Sequence, residues 1–213
     1  MCRSIFRFKY CFRKRGGASL ILKWTDAIVY LLISENIISE NEKDVYRYCV
    51  QTFLFQGITY GIILFLASYF DIVALTITYY VGFLPIRYVA GGYHASNHVR
   101  CLLLTIGIYA LAANMCLVIT YKFIYPVLVL NLIVSSVLII WAAPVDHKNR
   151  PFSPREKERF KRRSYIITIV IIVLSLVVLT VSVKMSVAMS LGALSAACSL
   201  VAGSIQRRKE QLC

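Results

Sequence analysis

Acidic side chains are scarce in this chain: 10 Asp and Glu stand against 24 Lys and Arg in 213 residues. None lies in the middle of a long apolar run, and Asp71 falls at the boundary between two of them. An ion-coupled carrier needs ionisable groups at membrane depth to relay its ions, so their absence argues against that class. No CxxC pair occurs among the 7 cysteines, and the C-terminal QLC is not a prenylation box. The start does not read as a cleavable signal peptide, because Lys23 and Asp26 interrupt the apolar stretch Ala18–Ile33 that follows the basic arm. No internal repeat is visible.

What the chain has in excess is apolar surface, with 59% of its residues hydrophobic. Soluble domains stand at roughly 45–50%, so the excess calls for a non-aqueous solvent. Runs near the ~20 residues that span a bilayer core occur at Phe53–Phe70, Ile72–Ile86, Cys101–Tyr121, Phe123–Ala143, Tyr165–Val183 and Met185–Ile205. The expected fold is therefore an all-α integral membrane protein of about six transmembrane helices, preceded by an N-terminal amphipathic helix. Because Ile72–Ile86 is short and Met185–Ile205 is rich in small residues, four full spans plus two re-entrant or interfacial segments are the alternative. Residues 1–42 read as a basic arm and interfacial helix, and 43–213 as one polytopic membrane domain.

The net charge of +14 is distributed as topology dictates. Cations cluster in the arm (Arg3 to Arg15), at Lys148–Arg163 and at Arg207–Lys209. With Met1 inside and six crossings, these clusters and the Arg87–Arg100 loop are all cytoplasmic, leaving Lys122 and Lys184 outside. This is the positive-inside pattern, and it implies contact with anionic lipid rather than nucleic acid. It also puts Cys2, Cys11, Cys49, Cys101 and Cys213 on or near the reducing side, where stable disulfides are rare. Cys116 and Cys198 fall within apolar runs, where cysteine acts as a small hydrophobe. From Leu20 to Ile38 apolar residues follow helical spacing, as in a helix lying in the interface or packed on the bundle's cytoplasmic end. Ser39 or Asn41 is placed to cap the next helix. Pro144, Pro151 and Pro154 break helix in the second loop, and the basic stretch Arg155–Arg163 faces lipid or receives an acidic segment.

Chemistry concentrates in Arg87 to Cys101, RYVAGGYHASNHVRC, where a thiol lies near two imidazoles at a membrane boundary. That is the minimum equipment for cysteine nucleophilic catalysis. The positive end of the helix that Cys101 opens, and Arg100 beside it, both favour the thiolate form. His98 shares a helical face with Cys101 at i,i+3. His94 on the same straight helix would be about 10.5 Å away along the axis, so it reaches the thiol only if the chain bends. Gly91 and Gly92 permit such a bend. His94, His98 and Cys101 also form an HxxxHxxC metal-ligand face, which the cations Arg87 and Arg100 disfavour. No cofactor and no metal is expected.

The arrangement R-x3-GG-x-HA-x6-C, carried by Arg87, Gly91, Gly92, His94, Ala95 and Cys101, resembles the accessory gene regulator B (AgrB) membrane endopeptidases. The later run APVDHKNRPF is similar to that family's Pro-x-Asp-x2-Asn-x-Pro loop, through Pro144, Asp146, Asn149 and Pro151. The resemblance covers roughly 43–209 and does not extend to the long basic N-terminus, whose role stays open.

The resemblance implies a bacterial cell-membrane protein of quorum sensing, acting on an AgrD-like autoinducing-peptide precursor and forming a homodimer. It implies removal of the precursor's C-terminal tail through a thioester, which a side chain within the peptide then captures as a thiolactone or lactone. It makes Cys101 the nucleophile and His94, rather than His98, the general base. Asn97 and Asp146 are candidates to orient the imidazole or simply cap loops, and Arg87 to hold the substrate or anchor a helix end. The small residues Ser186, Ser190, Gly192, Ala193, Ala196 and Ala197 suit close helix approach, between copies or within one chain. The competing readings are a peptide transporter or export component and a non-enzymatic membrane scaffold.

Overall fold

The computed structural model describes residues 18–93, 98–145 and 152–212, and among these every regular element is helical. Helix α1 spans Ala18–Ser34, α2 Lys43–Tyr69, α3 Val73–Ala90, α4 His98–Val118, α5 Tyr121–Ala142, α6 Pro154–Leu179 and α7 Val183–Leu212. Six helices, from α2 to α7, are long and apolar enough to cross a membrane. Six such helices among the described residues agree with the six-span expectation. The short segment is completed because α3 continues through Pro85 to Ala90, giving 18 residues. The basic arm 1–17 lies outside the described residues.

The chain divides into two compact units, Met1–Ile58 and Thr59–Cys213, with the division inside α2. In the first unit, Thr25 and Val29 mark the buried face of α1. Arg47 pairs with Asp26 at 2.8 Å, tying α1 to the first turns of α2. Both side chains are about half exposed, so the pair orients more than it stabilises. Ser39 does act at the hinge, donating from its N–H and Oγ to the Glu42 carboxylate at 3.1 and 2.9 Å. The turn it caps is a short 3-10 segment, Glu40–Glu42, ahead of α2.

In the second unit α7 is the central helix: 61% of its spanning window is buried, against 17–33% for the other spans. Its most extensive contacts are with α3 and then α5, while α6 and α4 also pack on it. Lipid supplies no hydrophobic drive to bring two apolar helices together, so close approach and hydrogen bonds must do so. Two glycines provide the approach. A Cβ on Gly82 of α3 would collide with the Met189 carbonyl of α7, and one on Gly192 would collide with the Tyr79 carbonyl of α3. The small residues Ser186, Ser190, Ala193, Ala196 and Ala197 are all buried inside the single chain. That face is spent on intrachain packing, so a homodimer would use another surface. Hydroxyl pairs supplement it: Ser175 and Ser186 meet at 2.9 Å, and the Asn131 amide donates to Ser190 at 3.3 Å.

Helix ends follow from local chemistry. Ser153 caps α6, accepting from the Glu156 N–H at 3.3 Å, and Pro154 fills the first position, where a missing N–H costs nothing. The basic stretch after Pro154 is thus the first turns of a spanning helix. Gly82→Ala and Gly192→Ala should each lower stability by about 1–3 kcal/mol, because the obstructing atoms are backbone. A methyl added at Gly107 would meet nothing within 4 Å, and Gly107→Ala should be neutral or stabilising by about 0.5–1 kcal/mol. Thermal unfolding of the detergent-purified variants measures the difference.

Candidate active site

Helix α3 ends where its sequence turns to glycine. Gly91 and Gly92 take φ of +83° and +152°, backbone that residues with a Cβ avoid. A Cβ at Gly91 would sit 2.5 Å from the Val145 carbonyl oxygen. The close approach has a purpose, since the Val145 N–H donates to the Ala90 carbonyl at 2.9 Å. The RYVAGG and APV segments, far apart in sequence, are therefore hydrogen-bonded neighbours. Tyr93 is anchored as well: its N–H donates to the Ser199 carbonyl of α7 at 2.8 Å. Gly203 admits this contact, because a Cβ there would lie 2.6 Å from the Gly92 carbonyl carbon.

Arg87 lies one turn before the end of α3. Its Nη2 donates to the Tyr93 carbonyl, and its guanidinium packs over Gly92, in the space that a Cβ would need. The second glycine is thus required by a side chain as well as by the backbone. Nη1 of Arg87 is buried without a hydrogen-bond partner among the described residues. Such a donor costs about 1–3 kcal/mol, more when charged, unless something occupies its free side.

Cys101 stands in the first turn of α4, half-buried and free. It opens on a cavity of about 350 Å³ walled by three helices. From α3 come Tyr79, Phe83 and Arg87; from α4 Cys101, Leu104, Thr105 and Ile108; from α7 Ser195, Cys198, Ser199 and Ala202, with Tyr93 at one edge. The hydroxyls of Thr105 and Ser195 are spent on carbonyls of their own helices, Cys101 and Leu191, at 2.8 Å each. The walls are thus mostly apolar, with Arg87, Cys101 and Cys198 among the lining residues. A larger cavity, about 500 Å³, lies between the end of α4 and the start of α5, lined from Leu111 to Val127 without an ionisable side chain. The smaller one is lined by Arg87 and Cys101.

Arg87 and Cys101 line one cavity, and the Arg87 guanidinium packs against Gly92. His94, Asn97 and Asp146 lie outside the described residues, and of His98 only the backbone is described, as the first residue of α4. Since α3 stops at Ala90 and α4 starts at His98, one straight helix does not join the motif. Sequence reasoning misses the contribution of α7. Its lining residues recur at i, i+3, i+4 and i+7 (Ser195, Cys198, Ser199, Ala202), but a stripe of small residues looks the same whether it packs on a helix or faces a cavity.

The accessory gene regulator B (AgrB) family model matches residues 25–201. The chain belongs to that family. Membership ties this multi-pass membrane protein to the peptide processing of accessory gene regulator quorum sensing, and to a peptide precursor as its partner. No curated protein and no solved structure matches the chain. The match takes in α3, α4 and most of α7, and with them nearly all of the wall around Cys101.

Small neutral maleimides should reach Cys101 and Cys198 through the cavity while leaving Cys116, 1% exposed within the core, at least about tenfold slower. Peptide mapping after timed labelling in detergent checks this. Equal labelling of Cys116 would mean that the cavity does not control access.

Proposed function

We propose that this AgrB-family chain is a membrane-embedded cysteine endopeptidase that removes the C-terminal tail of an autoinducing-peptide precursor. The observation that carries the proposal is the Cys101 thiol opening, from the first turn of a spanning helix, on a mostly apolar cavity beside a buried arginine. In this reading His94 takes the thiol proton, and the sulfur attacks the scissile carbonyl carbon. Collapse of the tetrahedral species breaks the C–N bond, and the tail amine leaves with the proton from His94. The precursor's remaining part is then held as a thioester on Cys101. A Cys or Ser side chain within the same peptide attacks that thioester, the C–S bond breaks, and a thiolactone or lactone ring is released.

The apolar walls favour this outcome over hydrolysis. They limit water near the thioester, while the internal nucleophile acts at high effective molarity. Asn97 and Asp146 are proposed to orient the His94 imidazole, the second motif being held to the first by the Val145–Ala90 hydrogen bond. The charge distribution supports a cytoplasmic position, in a bacterial cell and against anionic lipid, for both termini, the Gly91–Asn97 connection and the basic start of α6.

Tail release from a synthetic precursor should fall by more than about 10²-fold in Cys101→Ser and in His94→Ala, the range set by losing a nucleophile's proton acceptor. His98→Ala, Cys116→Ala and Cys198→Ala should retain most activity, and chelators should have no effect. Equal loss from both histidine changes, or inhibition by a chelator, would replace this mechanism with a metal-dependent one. For sidedness, single cysteines at 2 and 213 should resist an impermeant thiol reagent in intact cells. Ready labelling at either end would reverse the topology.

A further inference from the structure

We infer that Arg87 is a catalytic residue of the endopeptidase, its Nη1 donating to the scissile carbonyl oxygen as negative charge develops there. The inference rests on the function proposed above and adds a role that the nucleophile and base leave unfilled. When the C–S bond forms, the carbonyl π pair moves onto oxygen. When the C–N bond breaks, the pair returns. Arg87 exchanges no proton in either step; it supplies a fixed donor for the charge between them.

Five observations converge on this. Nη1 is buried and unpartnered among the described residues, and its side chain lines the same cavity of about 350 Å³ as Cys101. The guanidinium is pinned, with Nη2 on the Tyr93 carbonyl, whose own residue is fixed by its N–H to Ser199 of α7 at 2.8 Å. The space Nη1 occupies exists only because residue 92 has no Cβ. The hydroxyls of Thr105 and Ser195 are committed to helix carbonyls and do not compete for the role. A donor fixed before the reaction is the arrangement that stabilises an oxyanion most.

An oxyanion and a bound carboxylate make different demands on a guanidinium. A carboxylate is gripped best by two parallel N–H bonds from both terminal nitrogens of the fork. Here one Nη2 N–H is spent on the Tyr93 carbonyl, and the Nη1 N–H groups are left for an oxygen atom at the site. In this inference Arg87 acts on the transition state rather than on the resting peptide, and the split between rate and affinity distinguishes the two.

The test uses full-length protein and a synthetic precursor, with tail release measured at saturating precursor. Precursor affinity is measured separately on a Cys101→Ala background, where no turnover obscures binding. Arg87→Met should slow tail release by roughly 10²–10³-fold, the loss seen when one oxyanion donor is removed. Its affinity for the precursor should change by less than about threefold, as expected for an interaction made only in the transition state. Arg87→Lys keeps one charged donor on a flexible stem and should restore part of the rate; it also carries the test if the methionine variant does not fold. An affinity loss equal to the rate loss would overturn the inference in favour of a ground-state anchor. Undiminished turnover in Arg87→Met would overturn it outright. A wild-type protein that binds precursor yet releases no tail would instead overturn the endopeptidase reading, and this inference with it.

Discussion

The contact on which the rest depends is the glycine-mediated approach of α3 and α7. In lipid, two apolar helices gain nothing from hiding from their solvent, so the pair is held by backbone proximity that Gly82 and Gly192 allow and that any Cβ would prevent. From that contact the site follows in register. About a turn and a half beyond Gly82, Arg87 reaches the level at which α7 presents Ser199. Ser199 in turn fixes Tyr93, and Tyr93 fixes the guanidinium. A shift of α3 along α7 would break all three at once.

The cavity is a consequence of the same geometry. Where α3 and α7 touch, their small residues exclude everything else. Beside that contact, the larger side chains of Tyr79 and Phe83 from the same turns of α3, together with α4, wall a cavity that Cys101 and Arg87 also line. The glycine pair at 91 and 92 then serves two ends. Gly91 lets the chain leave α3 close enough to Val145 to join the two loop motifs, and Gly92 gives room for a charged side chain that would otherwise be displaced. Conformational freedom and lack of bulk are separate demands, met by neighbouring residues.

Much of this is legible in the sequence because its causes are local or periodic. Apolar runs mark the spans, and the cluster around Gly91 and Cys101 stands out by its chemistry, whereas Pro154 reads as a helix breaker and in fact opens α6. The α7 wall is not legible. Ser195, Cys198, Ser199 and Ala202 share a helical stripe, yet burial against a neighbour and exposure to a cavity make the same pattern, and only tertiary packing distinguishes them. For the same reason the small residues from Ser186 to Ala197 suit a partner copy as well as they suit α3. Cys198 reads as a plain hydrophobe and stands in the same cavity as the candidate nucleophile.

The central claim is that Cys101 carries the peptide as a thioester within this cavity. Intact-protein mass spectrometry tests it most directly, on purified protein mixed with a precursor whose own cyclising Cys or Ser has been replaced. With the internal nucleophile gone the acyl group has nowhere to go, so the account predicts an added mass equal to the precursor's N-terminal part. The adduct should map to Cys101, be removed by neutral hydroxylamine and be absent from Cys101→Ala. Tail cleavage at full rate with no mass added to Cys101 would contradict the account.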